Sequence, residues 1–100
     1  MWIASYTFSM PLEERDNFLN CYKAALLDFI NDHEGVSEIQ LLDILTVIDP
    51  TAASLSLQIQ FKTEEEYADF SETAFPVVQK LLNIQLPNKY AYFHTLLKRI

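Results

Sequence analysis

Few residues in this sequence carry chemistry. An imidazole, His94, stands two residues from the phenol of Tyr92, and the pair could serve as an acid/base or as an anchor for a ligand. The plainer use is a histidine hydrogen-bonded across strands to a Ser or Tyr neighbour. His33 precedes Glu34-Gly35 at the expected end of a helix, where the dipole stabilises its charged form, so it reads as a cap. The two histidines lie far apart with no Cys or carboxylate at ligand spacing, which argues against a metal site. No Ser-His-Asp or Cys-His arrangement can be read from spacing, so no catalytic residue is assigned and no cofactor is expected. Cys21 is the sole cysteine; flanked by Phe18, Leu19 and Tyr22, it reads as a small buried hydrophobe in a reducing compartment.

The remaining candidates form a row: Ser5, Thr7, Ser56, Gln58 and Gln60. Three of them come from residues 54–61, where Leu55, Leu57, Ile59 and Phe61 alternate without a fault against Ser54, Ser56, Gln58 and Gln60. A period of two over eight residues is a strand with one apolar and one polar face. Burying its four apolar side chains would contribute about 6–12 kcal/mol in gross terms, before entropy is subtracted. The polar face carries no charge, whereas a strand face open to water usually includes Lys or Glu. A Ser/Gln row suits a half-enclosed surface that hydrogen-bonds, and it could line a small-molecule site or a dimer contact.

The other elements are read by the same reasoning. Residues 1–9 repeat the strand pattern, with Trp2, Ala4, Tyr6 and Phe8 against Ile3, Ser5, Thr7 and Ser9. Pro11 then opens a helix over residues 11–34, its apolar stripe formed by Phe18, Leu19, Tyr22, Ala25, Leu26, Phe29 and Ile30, with Gly35 as the stop. Residues 36–48 predict a long strand in which Asp43 falls on the apolar face unless a bulge near Leu41-Leu42 shifts the register. Asp49-Pro50-Thr51 is a turn that makes a hairpin with residues 54–61. Thr63-Glu64-Glu65-Glu66 is a capping box, opening a second helix with a stripe of Tyr67, Phe70, Ala74, Val77, Val78 and Leu81 and a kink or break at Phe75-Pro76. Residues 90–97 form the last strand, with Tyr90, Tyr92, His94 and Leu96 on one face.

The order βαββαβ, with right-handed crossovers, predicts an α+β ferredoxin-like sandwich: a four-stranded antiparallel sheet with two helices on one face, as a single domain over residues 1–100. The first and third strands take the middle. Trp2, Tyr6, Phe8, Leu55, Leu57, Ile59 and Phe61 face the helices; Ser5, Thr7, Ser56, Gln58 and Gln60 face away, and Tyr92 and His94 are expected to join them from an edge strand.

On these elements the chain resembles a family of small uncharacterised proteins, a domain of unknown function of the ferredoxin-like, dimeric α+β barrel type. Leu57-Gln58-Ile59-Gln60-Phe61 is similar to the family's Tyr-x-Val-Gln-Tyr strand. Glu72-Thr73-Ala74-Phe75-Pro76 is similar to its Ala-Pro step, and Ala91-Tyr92-Phe93-His94-Thr95-Leu96-Leu97 to its closing Ala-Phe-Arg-Thr-x-Leu strand, with His94 in place of Arg. The N-terminal half departs: Phe18 and Tyr22 stand where the family has Trp, and Ala25-Leu26-Leu27 replaces a His-Ile-Pro step. The resemblance implies the fold and a dimer that packs sheet on sheet around a pocket; it implies no activity.

Composition excludes several functions of this fold. A net charge of −7 repels nucleic acid, and RNA-recognition motifs need stacking aromatics where Ser and Gln stand. Copper chaperones need Cys-x-x-Cys, which is missing. A haem ligand would come from the second helix, whose residues 63–82 hold no His. No basic-then-apolar leader and no apolar run of about 18 residues is present, so a cytoplasmic protein off the membrane is expected. The leading expectation is a non-enzymatic binding or interaction module, a homodimer taking a small neutral or aromatic ligand at Ser5, Thr7, Ser56, Gln58, Gln60, Tyr92 and His94. The alternative is a small cofactor-free barrel enzyme of monooxygenase or isomerase type that uses Tyr92 and His94.

Overall fold

The computed structural model describes residues 1–46 and 49–100. Four strands, β1 (Trp2–Pro11), β2 (Val36–Asp43), β3 (Ala52–Phe61) and β4 (Ala91–Lys98), form one antiparallel sheet in the order β2-β3-β1-β4. The expected ferredoxin-like sandwich is therefore present, with β1 and β3 in the middle.

The period of two does what it predicts. Ala4, Tyr6, Phe8 and Met10 of β1, and Leu55, Leu57, Ile59 and Phe61 of β3, are buried under the helices. Between β2 and β3 the register pairs Val36 with Phe61, Ile39 with Ile59 and Leu41 with Leu57, so β2 adds three partly buried side chains to the same face. The bulge falls between Val36 and Glu38 instead of near Leu41-Leu42. Asp43 stays on the helix side, where the strand ends, and pairs with Arg15 of the first helix at 3.0 Å. That pair is half exposed and contributes little to stability. The strand is shorter than the expected 36–48: it ends at Asp43, residues 44–46 are not strand, and Val47 and Ile48 lie outside the described residues.

The first helix spans residues 12–31, three residues short of its expected end; Gly35 then turns the chain at a φ of 97°. The second helix spans residues 64–85. Each contains a π turn, Tyr22–Leu26 in the first and Phe70–Ala74 in the second. The second one explains why Pro76 neither breaks nor ends its helix. A proline ring in a helix collides with the carbonyl four residues back, here that of Glu72. Widening the turn lets the Phe75 N–H reach Phe70 instead and keeps the helix running. The extra residue also rotates the remainder of the helix, so Phe75, Val78 and Leu82 point inward while Val77 turns to the surface. The cap at Thr63 differs in one bond from expectation: its hydroxyl accepts from the Glu66 N–H and donates to Glu66 Oε1, so the carboxylate holds the hydroxyl, not the backbone.

Candidate functional site

The face of the sheet away from the helices is a grid that can be read from the registers. One row across the sheet is Gln40, Gln58, Ser5, Thr95; the next is Leu42, Ser56, Thr7, Phe93. Gln40 donates to Gln58 Oε1 at 3.1 Å, the Ser5 and Ser56 hydroxyls lie 3.4 Å apart, and those of Ser9 and Ser54 lie 3.1 Å apart. These bonds run between strands because side chains on neighbouring strands of one face meet at such distances. Ser56 is buried, although it faces away from the core. Glu38, beside Gln60, brings a charge to one corner of this face. Five of the seven expected site residues, Ser5, Thr7, Ser56, Gln58 and Gln60, are thus brought together. At the other end of the face, Thr7, Ser9, Ser54 and Phe93 help to line a hollow of about 560 Å³ that also touches Arg15 and Asp43.

Tyr92 and His94 are not part of that face. The register pairs Phe8 with Tyr92 and Tyr6 with His94, which puts both on the helix side. The expectation that they join the Ser/Gln row is corrected: β4 has two similar alternating sets, and the set with Phe93, Thr95 and Leu97 faces away from the helices.

On the helix side His94 enters a different group. Its ring stacks on Tyr6 at 4.6 Å, and Tyr6 stacks on Phe75 from its other side at 4.4 Å. Nε2 of His94 lies 3.3 Å from the Tyr67 hydroxyl. Gln79 donates to the Tyr92 hydroxyl at 2.8 Å. Burial pushes the imidazole of His94 below its ordinary value of 6.5, so the neutral form dominates at pH 7. Burial, reinforced by the neighbouring Tyr67 and Tyr92, holds the Tyr6 phenol well above the usual phenol range. The π turn Phe70–Ala74 carries Ser71 to the Tyr6 phenol. The group offers phenols, an amide, a hydroxyl and a neutral imidazole, with no charge among them. It can hydrogen-bond and exchange a proton, and it has nothing to balance an anion.

The match that decides the family covers residues 1–100 and is to the domain of unknown function DUF4286. The chain belongs to DUF4286. No curated protein matches it. Among solved structures, this DUF4286 chain is similar to a protein from Nitrosomonas europaea provisionally named an antibiotic biosynthesis monooxygenase, with a TM-score of 0.69 and 16% identity over 100% of this chain and 99% of that one. It is similar to an ethd family protein from Bacillus halodurans, with a TM-score of 0.73 and 10% identity over 100% of both chains. An uncharacterized NIPSNAP domain protein from Burkholderia xenovorans gives 0.70 and 17% over 100% of this chain and 95% of that one. At these identities the likeness is one of fold.

Four members of the helix-side group in this DUF4286 chain, Tyr6, Tyr67, Ser71 and Gln79, were not legible as site residues. Tyr6 and Tyr67 sit in apolar stripes and read as core; Ser71 and Gln79 fall outside the apolar stripe of the second helix. The one signal in the sequence was Pro76, which demands an irregular turn at the place where Ser71 stands. His33 is likewise not a simple cap: its ring stacks on Phe70, and Nε2 lies 3.4 Å from Asp69 of the second helix. Among the described residues no group of His, Cys, Asp or Glu could hold a metal ion, and no helix is long and apolar enough to cross a membrane.

Proposed function

We propose that the hundred residues work as one non-enzymatic binding or interaction module, a homodimer whose open sheet faces meet. The observation that supports this is the composition of the grid: two central rows of amides, hydroxyls, Leu42 and Phe93, with no charge in either. Such a face can be enclosed without burying an ion. It still contains hydrogen-bonding groups, each costing about 1–3 kcal/mol if left unsatisfied, so water or a small neutral ligand fills what the two faces enclose. Ser5, Thr7, Ser56, Gln58 and Gln60 line that space. Exposed Phe93 and Leu97 of β4 extend the apolar part of the contact. The buried lone thiol of Cys21 fits a reducing, cytoplasmic setting. Mass in solution tests the dimer, and a charge introduced at Ser56 tests the face.

A second reading is supported by the contact between neutral His94 and Tyr67, together with a fold shared with a protein named as a monooxygenase. In that reading the domain is a small cofactor-free enzyme, with His94 as the base. A turnover abolished by His94→Phe in a folded protein, with binding kept, would favour it over the module.

A further inference from the structure

We propose that Tyr67, Gln79, Tyr92 and His94 form a shelf, at the edge between β4 and the second helix, that binds a planar, uncharged aromatic molecule bearing a hydroxyl. This surface is separate from the open face, and the inference does not rest on the dimer.

Three observations carry it. Every residue of β4 is exposed, so the helix-side strip of Tyr92, His94 and Leu96 presents aromatic and apolar surface that the chain itself does not cover. The polar groups there have unused capacity. Gln79 donates to the Tyr92 oxygen, which leaves the Tyr92 proton free to be donated. The Tyr67 hydroxyl and His94 Nε2 share a single long contact of 3.3 Å. The turn that places Ser71 is a π turn, a feature that often accompanies functional positions in helices.

The chemistry selects the ligand class. Stacked and edge-on rings already line the place, with Phe75 and Tyr92 meeting edge to face at 5.5 Å, so a flat ring has surfaces to pack on. The hydrogen-bonding groups are neutral donors and acceptors, which pair with a hydroxyl. A carboxylate or phosphate would lose its water without gaining a cation. Neutral His94 supplies an acceptor suited to a phenolic proton.

The test uses 2-naphthol as the probe, monitored by its fluorescence, with 2-naphthoate as the charged comparator. Saturable binding of 2-naphthol, and weaker binding of 2-naphthoate, is expected. His94→Phe keeps a ring on Tyr6 and removes the nitrogens, and Tyr67→Phe removes one hydroxyl. Each should weaken binding by about two- to tenfold, the loss of one hydrogen bond. Leu12→Ala, at the exposed start of the first helix, should leave it unchanged. In the unaltered protein, the ring protons of His94 should shift in the NMR spectrum on adding the probe, which reads the site without any variant. Loss of binding in Ser56→Ala with retention in Tyr67→Phe would overturn the proposal and move the ligand to the open face. Equal or tighter binding of 2-naphthoate, no saturable binding, or unmoved His94 resonances would also overturn it. The dimer is read separately from solution mass, so its failure and the failure of the shelf are distinguishable.

Discussion

Nε2 of His94 lies 3.3 Å from the hydroxyl of Tyr67, joining the edge strand β4 to the first turns of the second helix. The contact brings an imidazole against a phenol where both are only partly covered, and burial keeps the imidazole neutral. The folded value of His94 is therefore below its unfolded value of about 6.5. As pH falls through that value the unfolded chain takes up the proton first, so stability is lost on acidification below about 6.5 and is fully present above it. Urea denaturation across this range should show that slope, and His94→Phe should flatten it. An unchanged slope in the variant would assign the pH dependence to other groups.

Gly35 is the sole glycine, and two constraints hold it. Its φ of 97° suits few other residues, and an added Cβ would sit 2.9 Å from Glu66 Oε2 and 3.0 Å from Glu66 Cβ. Glu66 is also the residue that binds the Thr63 cap. Gly35→Ala should therefore cost more than about 1 kcal/mol, since it strains the turn and disturbs the start of the second helix together. A lowered urea midpoint with an unchanged m-value would show this. A midpoint equal to that of the unaltered protein would mean that the turn relaxes freely.

Leu57 stands at the centre of β3, fully buried, between Tyr6 on β1 and Leu41 on β2. Leu57→Ala should destabilise by about 2–5 kcal/mol, the transfer and cavity terms together. Leu12, 52% exposed at the start of the first helix, provides the contrast. Leu12→Ala should change stability by no more than about 0.5 kcal/mol. Similar losses at the two positions, again from urea midpoints, would contradict the assignment of faces.

Much of this fold is legible in the sequence because the central strands are buried on one side only. Leu55, Leu57, Ile59 and Phe61 face helices while their neighbours do not, and that contrast writes itself as a period of two. β4 has no such contrast. It lies at an edge, exposed on both faces, so Tyr92-His94-Leu96 and Phe93-Thr95-Leu97 look alike and the choice of face has no signal. The π turns escape for another reason. One extra residue in a helix leaves a stripe of apolar residues that still fits three- and four-residue steps on either side. Pro76 marked the second irregularity; nothing comparable marks Tyr22–Leu26. The candidate site divided along the same line, its central-strand members together and its edge-strand members elsewhere.

Ser56 provides a direct probe of the open face, since it is buried there between Leu42 and Thr7 in the grid. Ser56→Asp would place a carboxylate in each of two meeting faces, and a charge enclosed there would lose its water with no cation to pair it. The variant should remain folded by circular dichroism and sediment as a monomer. A variant that stays dimeric would move the contact to another surface.

Solution mass by light scattering on a sizing column tests whether two copies meet through the open face, whose two central rows carry no charge. A mass of twice the chain is expected for the unaltered protein, and of one chain for Ser56→Asp. A single-chain mass for the unaltered protein at micromolar concentration would contradict it, leaving the open face as a surface for a different partner.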